Sequence, residues 1–103
     1  MRRSIEDVVR MMHADVKAYH EDKNCPMPYA ILSRRYSRDV RALGVGLVEL
    51  IEGDERLMVK ENERGARFVV LTELFDDLRP VELADYIGYI NLISARTLRP
   101  YKS

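Results

Sequence analysis

Cysteine is nearly missing: Cys25 is the only one in 103 residues. That excludes a disulfide framework within the chain and makes a reducing cytoplasm the expected compartment. Net charge is missing too, because 17 Lys and Arg balance 17 Asp and Glu. A nonspecific polycation is thereby disfavoured. Nucleic acid stays open, since what matters is where the charges sit. No apolar run approaches the length of a membrane span, and Met1-Arg2-Arg3 is not followed by an apolar signal core. Internal repeats and low-complexity tracts are absent.

Site patterns for chemistry are equally scarce. There is no phosphate-cradling Gly-rich loop, no nucleophile elbow and no zinc-protease helix, so an enzyme is not expected. His13 and His20 share a helix face two turns apart, about 10 Å along the axis. That is too far to chelate one zinc without another element, so neither metal nor cofactor is expected. The adjacent acids Asp76-Asp77 and Asp54-Glu55 point apart rather than sharing a proton. Cys25, beside Pro26, has no cationic neighbour in sequence to activate it.

What is present reads as one folded domain: 47% of residues are hydrophobic and 33% charged. Ser4 opens a capping signature, with its hydroxyl placed to accept from the Asp7 N–H. Ile5, Val8, Val9, Met12, Val16 and Tyr19 then recur at helical spacing, and the helix is expected to end near 22–24. Arg10, Asp15 and Lys17 would form its solvated face. Pro26 and Pro28 break it, and Pro28 suits the first turn of a short second helix with Ile31 and Leu32 inward.

Ser37 is the expected N-cap of a third helix, with Asp39 in its first turn. Val40, Leu43, Leu47, Leu50 and Ile51 share its core face, Arg38, Arg41, Ala42, Val45 and Glu49 the opposite one, and Gly53 stops it. A rival reading runs one helix over 28–43 and makes 47–51 the first strand of a three-stranded antiparallel meander. Gly44 and Gly46 favour that rival, at about 1 kcal/mol each inside a helix. The cap and the long apolar stripe favour the helix.

Leu57–Glu61 and Ala66–Leu71 read as strands around a turn at Asn62-Glu63-Arg64-Gly65. Thr72 can cap a short helical turn over 73–78. A last helix starts at Pro80 and is apolar around most of its circumference. Its acidic lead-in, Glu73, Asp76, Asp77, Glu82 and Asp85, would face away from DNA. Its apolar excess calls for a second partner surface, expected to be a two-fold copy meeting through Leu83, Tyr86, Ile87, Ile90 and Ile93. The tail from Arg99 to Ser103 is expected to fray.

Helix, short helix, helix and two-stranded wing over Ile5 to Leu71 resemble the winged-helix family of helix-turn-helix domains. The core of the resemblance is the run from Ile31 to Leu43, followed by Leu47, Leu50 and the strands. It implies an α+β fold, mainly α with a small hairpin, with residues 1–72 as the winged helix and 73–103 as a helical extension. It also implies a third helix in the major groove of double-stranded DNA and a hairpin on the flanking backbone. Arg38, Arg41, Ala42 and Val45 would then lie on the reading face, with Arg64 at the wing tip, and Ser37 is a further expected DNA contact.

The residues point the same way. Arg34, Arg35, Arg38 and Arg41 face only one nearby acid, Asp39, and such clustering is what phosphate contacts need. Arginine can also bind guanine bidentately, while Ala42 or Val45 can meet a thymine methyl. Lys60, Arg64 and Arg67 add positive charge at or near the hairpin tip, offset by Glu61 and Glu63. The expected function is sequence-specific DNA binding by a dimeric transcriptional regulator. The alternatives are a solvated, salt-bridged arginine face, and a winged helix serving as a protein-interaction module within a larger complex.

Overall fold

The computed structural model describes residues 3–62, 64–77 and 98–101. Over these the chain is α+β: four helices and a four-stranded antiparallel sheet. Helix α1 (Ile5–Lys23) begins as its sequence dictates, with Ser4 Oγ accepting from the Asp7 N–H at 3.2 Å. It ends where Asn24 turns left-handed at φ 55° and donates to the His20 carbonyl. Val8, Val9, Met12 and Val16 are buried, but Ile5, one turn earlier on the stripe, stays 48% exposed.

Two residues of strand follow, β1 (Met27–Pro28), then α2 (Tyr29–Arg35) and α3 (Ser37–Leu43). Tyr36 joins these helices, donating its N–H to Leu32 and accepting at its carbonyl from Val40. Tyr36 therefore occupies the N-cap position expected of Ser37, which is instead the first residue of α3. The Ser37 hydroxyl donates to the Arg34 carbonyl at 3.3 Å.

The continuous helix expected over 37–51 does not form. Gly44 adopts φ 70° and donates its N–H to Val40, closing α3 in the left-handed cap that glycine takes without a Cβ penalty. Gly46 is extended and starts α4 (Leu47–Glu52). The rival meander fails at the same place, because 47–51 is helical. Leu47, Leu50 and Ile51 still reach the core; Val40 and Leu43 pack partly buried against it.

Strands β2 (Leu57–Glu61) and β3 (Arg67–Leu71) pair from Leu57↔Leu71 to Glu61↔Arg67. Between them Asn62 accepts from Gly65 N–H at its carbonyl, and Gly65 takes φ 83°, the left-handed bulge position of a three-residue hairpin loop. Asn62 is buried, and its Oδ1 accepts from the N–H groups of Arg64 and Ala66, each at 3.0 Å.

Two edge strands went unread in the sequence. β1 pairs Met27 with Val69, and β4 (Arg99–Pro100) pairs with Lys60 and Glu61, giving the order β1-β3-β2-β4. The tail is thus not frayed at 99–100: Tyr101 N–H also donates to the Val59 carbonyl at 3.2 Å. Both edge strands are two residues long and contain a proline, which leaves little edge for another chain to pair with.

Alternation along the strands divides the core. Leu57, Val59, Val69 and Leu71 face α1, α2 and α4; Phe68 and Val70 face the other way, against Cys25, Leu98 and Phe75. Thr72–Asp77 forms a 3₁₀ turn, and the Thr72 hydroxyl donates to the Glu55 carbonyl. The expected C-terminal helix and its contact residues Leu83, Tyr86, Ile87, Ile90 and Ile93 lie outside the described residues. No described helix is long and apolar enough to cross a membrane.

Candidate nucleic-acid interface

The α2–α3 segment turns a cluster of arginines outward by pinning its underside. Tyr36 is 2% exposed, and its hydroxyl donates to Asp15 of α1. Burial, then this bond to a carboxylate, push the Tyr36 phenol above its ordinary range. Asp15 also pairs with Arg35 at 3.3 Å, so it is a tether rather than part of the solvated face expected of it. Arg3, ahead of α1, pairs with Asp39 at 3.1 Å. Both charges that would have blurred the cluster are therefore matched: Arg35 by Asp15 and Asp39 by Arg3.

Arg34, Arg38 and Arg41 remain. All three are exposed, and none of the three guanidiniums has an ion pair or hydrogen bond among the described residues. Their spacing of four and three residues, continued through Tyr36 by helical hydrogen bonds, sets them along one side of the segment. Ser37 and Ala42 are exposed beside them. Ser33, Ser37 and Arg41 line a shallow cleft of about 270 Å³ over Val40 and Leu47. The local excess of three positive charges expected from 34–41 survives folding, with different members than a simple count implies.

The remaining sequence candidates separate. Val45 leaves the arginine side because the chain turns at Gly44; it packs partly buried on the core and lines a groove against α1. Arg67 does not reach out from the wing. Its guanidinium lies 4.4 Å from the Tyr29 ring centre and 5.1 Å from that of Tyr101, and it donates to the Tyr101 hydroxyl at 3.2 Å. Lys60 points to the opposite sheet face, 5.2 Å from the Phe75 ring centre. Glu61 pairs with Arg99 at 3.4 Å, which removes one of the carboxylates expected to oppose phosphate at the wing. Arg64 stands exposed in the turn.

Elsewhere the titratable groups are structural. Cys25 is fully buried, and burial pushes its thiol up to about 11. Asp54 accepts from the Arg56 side chain and backbone, which holds its carboxyl down at about 2. His13 is half-buried, with Nε2 unpartnered among the described residues. No three His, Cys, Asp or Glu side chains among those residues converge as metal ligands would.

The signal for Arg67 and for Asp15 was not local. Their partners stand 34 and 21 residues away, Tyr101 and Tyr36 respectively, and no periodicity carries such pairings. Comparison of the chain with protein-family models, curated proteins and solved structures gives no match.

Proposed function

We propose that the chain is a winged-helix domain that binds double-stranded DNA through the arginine ridge of α2 and α3. The observation that carries this reading is the exposure of Arg34, Arg38 and Arg41 without a protein partner among the described residues. Three exposed guanidiniums without a carboxylate partner give the local positive excess that contacts to a phosphate backbone need. The topology supports the family reading: α2, α3 and α4 lie between β1 and the β2–β3 hairpin, and β1 pairs with β3.

In this reading Arg34 contacts phosphate, and Arg38 and Arg41 reach base edges, where a guanidinium can grip guanine O6 and N7. Ala42 offers an apolar contact for a thymine methyl. Arg64 at the hairpin tip touches flanking backbone, whereas Arg35, Lys60 and Arg67 hold the scaffold. A homodimer joined through 83–93 would set half-site spacing, and regulation of transcription is the role such a dimer serves.

The test is a salt titration of binding to a random-sequence duplex, read by fluorescence anisotropy. On random-sequence duplex, where no base is read, all three guanidiniums meet phosphate, and three such contacts imply a slope of about −2.7 in log K against log salt, at about 0.9 per contact. Affinity then falls about 40-fold between roughly 50 and 200 mM salt. Substituting Arg34, Arg38 and Arg41 together by Ala should flatten most of that slope. An unchanged affinity and slope would remove the ridge from the interface.

A further inference from the structure

We propose that the groove between α1 and α4 docks an amphipathic helix of a partner protein, one that carries lysine or arginine beside its apolar stripe. The groove holds about 590 Å³, within the range of well-formed binding sites. Its apolar lining is Ile5 and Val9 from α1, Leu50 from α4 and Val45 from the turn between α3 and α4. Ile5 is the telling member. It continues the stripe of Val8, Val9 and Met12, yet remains 48% exposed, beyond the core formed by the described residues. A stripe that outruns its core leaves apolar surface for something else to cover. Two helices flank the groove, so a third can seat side chains spaced three and four apart between them.

The charges select the partner. Arg10 and Arg56 stand at the rim, but each already has a carboxylate: Asp7 at 3.6 Å and Asp54 at 2.9 Å. The carboxylates of Glu6 and Glu49, also at the rim and exposed, have no ion pair or hydrogen bond among the described residues. The uncompensated charge around the apolar floor is therefore negative. Phosphate would be repelled there, and a helix with Lys or Arg flanking its apolar residues is the complement. The groove shares no lining residue with the cleft at Ser37 and Arg41, so the inference stands apart from the DNA reading.

The experiment is a display selection of randomised helical peptides of about 16 residues, long enough to hold a helix, against the full chain. Enriched peptides are then measured by anisotropy on the wild type, on E6K/E49K and on the triple arginine variant. The expected peptides are apolar at helical spacing with flanking Lys or Arg. E6K/E49K should weaken them at least about tenfold, because it sets two positive charges where two negative ones faced the peptide, while circular dichroism shows the same fold. The triple arginine variant should bind them like the wild type.

Three results would each overturn the inference: no enriched binder, acidic binders, or an affinity that E6K/E49K leaves unchanged. Sedimentation supplies a fourth. Self-association abolished by E6K/E49K would assign the groove to a second copy of this chain.

Discussion

The break between α3 and α4 can be tested by the sign of one substitution, Gly44→Ala. Gly44 sits at φ 70°, and a Cβ built there meets nothing within 4 Å. Steric crowding therefore contributes nothing, and the cost is that of holding an L-residue left-handed, about 1 kcal/mol. Were 37–51 one helix, the same change would remove an interior glycine and stabilise by about 1 kcal/mol. The two cases differ by about 2 kcal/mol, and in opposite directions.

Urea denaturation resolves that difference. In a domain this small, a loss of about 1 kcal/mol lowers Tm by about 4–8 °C. Gly46→Ala is the control: Gly46 is extended at φ −66°, which any residue adopts, and its Cβ would meet the flexible Glu49 side chain, with Oε1 nearest at 3.5 Å. Its effect should be the smaller of the two. A Gly44→Ala protein more stable than the wild type would refute the left-handed cap. It would also return Val45 to the arginine side of the helix.

Two further outcomes follow from the hydrogen-bonding. Asn62→Ala removes the acceptor of two backbone N–H groups in the hairpin turn and should cost about 1–2 kcal/mol in urea denaturation, whereas Asn62→Asp keeps both bonds and should stay near wild type. Asp54, at about 2 in the fold against an ordinary 3.8, stabilises the fold above the ordinary value and loses that contribution as pH falls toward 2. The Tm gap between wild type and Asp54→Asn should therefore be full near neutral pH and close between about pH 4 and 2. A gap independent of pH would show that the Asp54–Arg56 pair does not titrate as its geometry implies.

Local chemistry was legible in the sequence and distant pairing was not. Ser4 capped its helix, the turn before Gly65 closed its hairpin, and Val8, Met12 and Val16 went inward, because each depends on residues within a turn or two. Gly44 and Gly46 carried conflicting local signals. The apolar stripe from Val40 to Ile51 is shared by a straight helix and by two short ones bent toward the same core. β1 and β4 are two residues each, too short for any alternating pattern, and exist only because β3 and β2 present free edges to them.

The arginine cluster was visible as composition, but the division of labour within it was not. Arg35 looked like Arg34 until Asp15 and Tyr36 were brought beneath it. Arg67 looked like a wing cation until two tyrosine rings from separate parts of the chain closed around it. In both cases a guanidinium was engaged by a partner more than a dozen residues away. The ridge that remains is narrower than the one in the sequence, and it is held by a tether under Tyr36.

The most direct measurement is a titration of ¹⁵N-labelled protein with a short duplex, followed by amide chemical-shift changes. DNA binding through the ridge predicts the largest shifts at Arg34, Ser37, Arg38, Arg41 and Ala42, a second set at Arg64, and little at Ile5, Val9 or Leu50. Shifts confined to the α1–α4 groove, or none at duplex concentrations well above a nonspecific Kd, would contradict it.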